Sequence, residues 1–433
     1  MRSRLPIAEQ ALELARAVGA RAAEVRALTV LGGDHAYLGR GAEGVAHFRR
    51  ALQLAEEIGG IDLERAYVNF TDALTMLGRP RESARLAQTG LETLHRHGIE
   101  SSLLVSNRIE ALLAIGDWDE AERLSAAALS RITSSFPHVL LLFRAAVEIG
   151  RGEFAGARAH LETVGATVQD EHVLSLCAAH VAELALWERR WTDADAAVHA
   201  GLARAQQRGA AELCARGLRA QAELAALARA RRDAGALRDR LDRADRLLTL
   251  AQQETSAPND GGWRAHAAAE HARVRDEARP DVWADAAATW DRLERPPAAA
   301  YCRWRQAEAL VSGGASRTDA SAPLREAHSL ATRIGARPLA DELERLAERA
   351  RLDLEPPATA SADGRENLET ILGLTAREAQ VLELVGRGYT NREIAEALVI
   401  SVKTAGVHVS HILRKLDAPN RREAAAIAHR VSP

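Results

Sequence analysis

Lysine is almost missing from this chain. Among 433 residues, 57 are Lys or Arg, yet only Lys403 and Lys415 are lysine. A P-loop needs its lysine to reach the β/γ-phosphates. None precedes Lys403 and no GxxxxGK[ST] occurs, so this sequence holds no P-loop ATPase module. Aromatic residues are also scarce, at 4%, while Ala, Leu, Arg and Glu abound, which favours helix over sheet. The three cysteines, Cys177, Cys214 and Cys302, are far apart with no metal-ligand spacing. They are expected to be buried free thiols in a reducing cytoplasm. No apolar run approaches the roughly 18 residues of a membrane span. In "MRSRLPIAEQALELARAVGA", Glu9 and Glu13 interrupt the apolar pattern, which predicts an amphipathic helix rather than a signal peptide. A cytoplasmic protein with no membrane partner is expected. No His/Asp/Glu set, nucleophile–base pairing or metal motif argues for catalysis, so no cofactor and no enzyme activity are expected.

Charge is unevenly spread. Residues 371–433 hold nine Arg/Lys against six Asp/Glu, a surplus of three, although the chain as a whole is at −3. A small basic end on an acidic body suits contact with a polyanion.

Several segments share one form: an apolar helix, a Gly-containing turn, then a helix with Ala in its first turn. "HAYLGRGAEGVAHFRRAL", "ALTMLGRPRESARLAQ", "ALLAIGDWDEAERLSAAAL" and "AAVEIGRGEFAGARAHL" place their turn glycines at Gly39, Gly78, Gly116 and Gly150. The spacings are 39, 38 and 34, and a weaker copy puts Arg189 at the turn 39 residues further on. Glycine there lets the chain leave a helix through a left-handed conformation. The pattern resembles tetratricopeptide repeats, whose neighbouring pairs stack into a solenoid with a concave surface. Trp187, Trp191, Trp283, Trp290 and Trp304 are read as repeat core rather than a ligand box. The expected organisation is a tetratricopeptide-like array over 1–351 with a break near 253–262, a Pro-rich linker over 352–370, and a small four-helix domain over 371–433. The fold class is all-α.

In the last segment, Thr375 with Glu378 and Thr390 with Glu393 form capping boxes. Ser401 can cap the next helix. On that helix Ala405, Val409, Ile412 and Leu416 share one face. Lys403, Val407, Ser410 and Arg414 share the opposite face, with Gly406 at its edge. Two short helices joined by a three-residue turn, the second presenting basic and small residues, read as a helix-turn-helix. Lys403 is placed to meet a phosphate or a guanine edge. Lys415 would either touch a phosphate or cover the core. A further helix, "NRREAAAIAHR", offers a small apolar face at Ala424, Ile427 and Ala428.

"LTAREAQVLELVGRGYTNREIAEALVISVKTAGVHVSHILRKLDAPNRREAAAIA" resembles the DNA-binding domain of LuxR-type regulators. Shared features are the opening Leu-Thr-x-Arg-Glu, Gly388, Asn391, Glu393-Ile394-Ala395, Leu398, Ile400-Ser401, Thr404, His408 and Lys415-Leu416. The array resembles the helical part of the large ATP-binding members, without their ATPase module. The lysine of a phosphorylated receiver domain is missing too. The chain begins within the array, either because a front module was lost or because the start is misassigned. The resemblance implies that Gly406, Val407 and Ser410 touch base edges, and relatives often carry lysine at the first. It makes Thr390, Asn391, Ser401, Thr404 and His408 candidates for phosphate contact or helix orientation, with packing an equal alternative for His408. It makes Ala424, Ile427 and Ala428 a dimer interface, suited to paired half-sites on double-stranded DNA. The expected function is a sequence-specific transcriptional regulator whose array senses a protein or small-molecule effector. The alternative is a helical-repeat interaction scaffold with a vestigial DNA-binding domain.

Overall fold

The computed structural model describes residues 4–130, 137–205, 209–253, 258–354, 374–386, 389–398, 401–416, 418, 420–421 and 423–424. Among these, every regular element is a helix and there is no strand, so the fold is all-α. The chain divides into two compact units, Met1–Leu354 and Glu355–Pro433.

The first unit opens with α1 (Leu5–Ala17), α2 (Arg21–Tyr37), α3 (Gly41–Ile58), α4 (Gly60–Met76), α5 (Pro80–Arg96) and α6 (Ser102–Ile115). Next come α7 (Trp118–Leu129), α8 (Pro137–Arg151), α9 (Phe154–Thr167), α10 (Glu171–Trp187), α11 (Trp191–Arg204) and α12 (Ala210–Ala230). It ends with α13 (Ala234–Ala251), α14 (Pro258–Val274), α15 (Pro280–Arg292), α16 (Pro296–Ser312), α17 (Arg317–Ile334) and α18 (Arg337–Ala350). Within the expected break, 254–257 lie outside the described residues and α14 already begins at Pro258.

One turn recurs along this unit. A residue in the left-handed conformation ends the helix, and the next amide donates to the carbonyl five residues back. Gly39, Gly78 and Gly116 hold the left-handed position, with Arg40 N–H bonded to His35 O, Arg79 to Leu74 and Asp117 to Leu112, each at 2.9 Å. This satisfies a carbonyl that the helix end would strand. After α10 the position falls to Arg189, whose φ is +59°, and Arg190 N–H reaches Ala185 O at 2.8 Å. Arg232 and Asp276 repeat it after α12 and α14.

One turn lies elsewhere than expected. Gly150 sits inside α8, and Gly152, at φ +80°, makes the turn. The spacing then becomes 36 and 37, closer to an even repeat. Gly150 serves packing instead: a Cβ there would lie 2.3 Å from the buried Trp118 ring that opens α7.

The unit closes on itself. The early turns lie against α14–α18: Leu293 covers Gly78, Ile334 and Pro296 cover Gly116, and Pro338 covers Gly152. Hydrogen bonds fasten the seam. Asn259 Nδ2 donates to Thr75 O at 2.9 Å, and Arg337 donates to Arg151 O and Glu153, both at 2.9 Å. Arg189 donates to Glu342 at 2.9 Å. The concave side is therefore a partly open cavity of about 1220 Å³.

Trp283, Trp290 and Trp304 are buried in the core, while Trp187 and Trp191 are half-buried. Trp187 and Trp290 also line the cavity, so they are both core and wall. The three cysteines are buried and unbridged. Burial pushes the thiols of Cys177 and Cys214 up to about 11 and about 12, so they stay protonated and unreactive. Among the described residues, no helix is long and apolar enough to cross a membrane.

Gly150→Ala tests the packing account. Helix propensity alone would raise stability by about 1 kcal/mol. Overpacking against Trp118 should instead lower it by about 1–3 kcal/mol. A melting temperature equal to or above that of the parent would show that the ring yields freely.

Candidate nucleic-acid interface

The second unit contains α19 (Ala376–Gly386), α20 (Asn391–Leu398) and α21 (Val402–Lys415). Its core takes Leu374, Val381, Leu382 and Val385 from the first helix region and Ile394 and Ala395 from α20. From α21 it takes Ala405, Val409 and Ile412, with Leu416 packed at the edge. Spacings of four and three bring these α21 positions to one face. Three residues, 399–401, separate α20 from α21.

Polar side chains fix the helix ends. Glu378 Oε2 accepts from Thr375 N at 2.8 Å and Thr375 Oγ1 at 2.9 Å. The same oxygen accepts from Lys415 Nζ, at the far end of α21, at 2.7 Å. Glu378 is buried. Its pKa reflects two opposed influences. Burial pushes it up, but the Lys415 ammonium and the Thr375 donors outweigh this and hold it down at about 2. Arg377, its neighbour in the Leu-Thr-x-Arg-Glu opening, donates to Leu398 O at 2.8 Å and so caps the negative end of α20. Lys415 is therefore mainly a tie between α21 and α19.

Thr390 and Glu393 form the second box: Glu393 Oε2 accepts from Thr390 N at 2.6 Å. Ser401 Oγ accepts from Thr404 N at 3.0 Å and lies 2.7 Å from Thr404 Oγ1. Thr390, Ser401 and Thr404 are all exposed. Asn391 is half-buried and accepts from Arg421 Nη1 at 2.8 Å; Arg421 also donates to Tyr389 O. Asn391 thus positions the start of α20.

Lys403, Val407, Ser410 and Arg414 are exposed on the side of α21 opposite the core, with Val407 at 47%. Gly406 and His408 are half-buried. No acidic residue occurs on α21, and among the described residues no ion pair engages Lys403 or Arg414. Ser410 Oγ donates to Gly406 O at 3.0 Å, so its remaining capacity toward a ligand is as acceptor. Gly406 has ordinary room: a Cβ would meet Asn391 Nδ2 at 3.5 Å. Ala424 is buried in the unit's own core rather than on a free surface; Ile427 and Ala428 lie outside the described residues. Sequence reasoning missed Val402 and His411, both exposed beside this face, the roles of Arg377 and Arg421, and the tie of Glu378 to Lys415. Helical spacing pointed to the first two, since His411 follows Val407 by four; nothing local pointed to the others.

This arrangement is a short helix, a three-residue connection and a second helix with an acid-free outer face. The sequence family described as bacterial regulatory proteins, luxR family, matches residues 372–428. The C-terminal unit is a luxR-family helix-turn-helix domain. Over 57 residues this chain is 49% identical to the transcriptional regulatory protein LiaR of Bacillus subtilis (strain 168), covering 13% of this chain and 27% of LiaR. Over 55 residues it is 47% identical to the response regulator protein VraR of Staphylococcus aureus (strain Mu3 / ATCC 700698), covering 13% and 26%. The chain spans about a quarter of the length of the curated relatives it matches. Each of these two likenesses spans no more than 57 residues of this chain.

The two lysines should separate experimentally. Lys403→Ala is expected to lower the slope of log K against log salt by roughly one. Lys415→Met should leave the slope unchanged but cost the domain roughly 1–3 kcal/mol, because a buried carboxylate loses its cation. The Glu378 contribution to stability is complete above pH 4.5 and is lost as pH falls toward about 2. Lys415→Met should flatten that acid limb in unfolding titrations. A slope change with Lys415→Met and none with Lys403→Ala would reverse the assignment.

Proposed function

We infer that this protein is a sequence-specific DNA-binding transcriptional regulator, with the helical unit as its sensor or interaction platform. The acid-free outer face of α21, carrying Lys403 and Arg414 on a luxR-family domain, is the observation that carries this reading. Lys403 and Arg414 meet phosphates or a guanine edge. Val407 meets a thymine methyl, and Ser410 accepts from a base amino group. Ser401, Thr404 and Thr390 offer polar contact to the phosphate backbone from the helix N-termini. Lys415 and Asn391 act by orienting α20 and α21. A homodimer on paired half-sites would double the contact surface.

A second reading, an interaction scaffold with a vestigial DNA-binding domain, rests on Gly406. It leaves no side chain where a base contact is implied. The free space around it means the domain's packing does not require glycine. Glycine in a helix costs roughly 1 kcal/mol relative to alanine, so its presence favours close approach of the helix backbone to DNA.

Genome-wide mapping of bound DNA tests the main reading and yields the operator. Absence of any enriched site, with no retention on DNA at moderate salt, would favour the scaffold. Gly406→Lys separates the two accounts of that residue. Close approach predicts higher thermal stability, weaker operator binding, and undiminished non-specific binding. Tighter and equally selective operator binding would mean that a useful lysine was lost.

A further inference from the structure

The first helix of the helical unit carries an apolar face that the fold does not use. α1 packs on α2 through one buried stripe, Ala8, Leu12 and Ala15. Its charged side chains Glu9, Glu13 and Arg16 are exposed on a second side. A third side holds Ile7, Ala11, Leu14 and Val18, the last being the residue that ends the helix. Ala11 is exposed. Ile7, Leu14 and Val18, at 67%, 65% and 67%, are the three most exposed large apolar side chains among the described residues. On a helical wheel this row lies about 100° round from the buried stripe. A surface helix of a globular unit needs one apolar stripe to hold it down. The second one contributes nothing to the packing of α1 and leaves apolar surface in water, which is the mark of an interaction face.

The spacing identifies the kind of partner. Steps of four, three and four residues form the seam by which two helices pair, with Ile7 and Leu14 at one repeating position and Ala11 and Val18 at the other. The row is also self-complementary. Two copies turned antiparallel about a two-fold axis between Ala11 and Leu14 set each Leu14 on the partner's Ala11 and each Ile7 beside the partner's Val18. A large residue then meets a small one near the axis, where the helices approach most closely. No charged side chain belongs to the row, and the residues along its free edge, Gln10 and Ala17, are neutral and exposed. Self-pairing therefore buries no like charges against each other, and antiparallel axes bring opposite dipole ends together. One pair of short helices covers less than the roughly 800 Å² per partner of a standard interface, so the association is weak and reversible. Ala424, expected at a dimer interface of the DNA-binding unit, is buried in that unit's own core, whereas the α1 row is open to a second copy.

We propose that α1 is a self-association surface, through which two copies of this chain pair by Ile7, Ala11, Leu14 and Val18. The pairing stands independently of the DNA-binding reading; where that reading holds, it tethers two DNA-binding units for paired half-sites. Sedimentation equilibrium of the full chain without DNA tests it. A reversible monomer–dimer equilibrium with a Kd of about 10–300 μM is expected. Leu14→Glu and Leu14→Lys should each weaken it at least about tenfold, because like charges enter the seam from both copies. An equimolar mixture of the two variants should recover more dimer than either alone, since opposite charges then meet across the axis. Leu14 is exposed, so below the parent's Kd both variants should melt within about 2 °C of the parent. This separates a lost interface from a lost fold. A chain that stays monomeric to about 500 μM overturns the proposal and leaves the row to a different partner. Association unaltered in both variants, or a mixture no more associated than its components, overturns it as well.

Discussion

A single carboxylate oxygen organises the DNA-binding unit. Glu378 Oε2 closes the N-terminus of α19 through Thr375 and holds the C-terminal turn of α21 through Lys415. Those ends are 37 residues apart in sequence. With the last turn of α21 tied down and its first turn capped by Ser401, the helix is fixed at both ends. Its outer side chains can then be presented in one orientation without a large core behind them. Arg377 adds the third connection, from α19 to the end of α20. The opening Leu-Thr-x-Arg-Glu is therefore a joint between three helices.

In the helical unit the corresponding constraint is the left-handed turn. It satisfies helix-end carbonyls and sets a repeat of 36 to 39 residues from Gly39 to Arg189. It also leaves flat, side-chain-poor corners at Gly78, Gly116 and Gly152. Those corners are where Leu293, Ile334, Pro296 and Pro338 come to rest. The glycine demanded by backbone conformation thus also creates the docking sites that close the ring. Arginine suits the remaining joints because one planar fork can satisfy two acids while stacking on a ring, as Arg216 does between Glu183, Glu212 and Trp263.

What could be read from the sequence was what is periodic or local. Ala405, Val409 and Ile412 are buried because their spacing is helical, and the capping boxes follow from residues three apart. Arg189 could be assigned a turn because the repeat required one there. Gly150 misled because it lies two residues from Gly152, and only the Trp118 ring distinguishes them. Lys415 could not be paired with Glu378, nor Asn391 with Arg421, because each partner comes from a different helix region. The cavity was invisible for the same reason: its seam joins Thr75 to Asn259 and Arg151 to Arg337, pairs separated by more than 180 residues.

The scarcity of lysine has a practical chemical consequence. Of the two ε-amines, that of Lys415 is engaged by a buried carboxylate, while that of Lys403 stands on the exposed face of α21. Lys415 is exposed as well, but its ammonium is tied to Glu378, so an acylating reagent at mildly alkaline pH reacts first at Lys403 of the two lysines. The composition has made α21 addressable by ordinary amine chemistry, so a reporter dye can be seated there without introducing any residue.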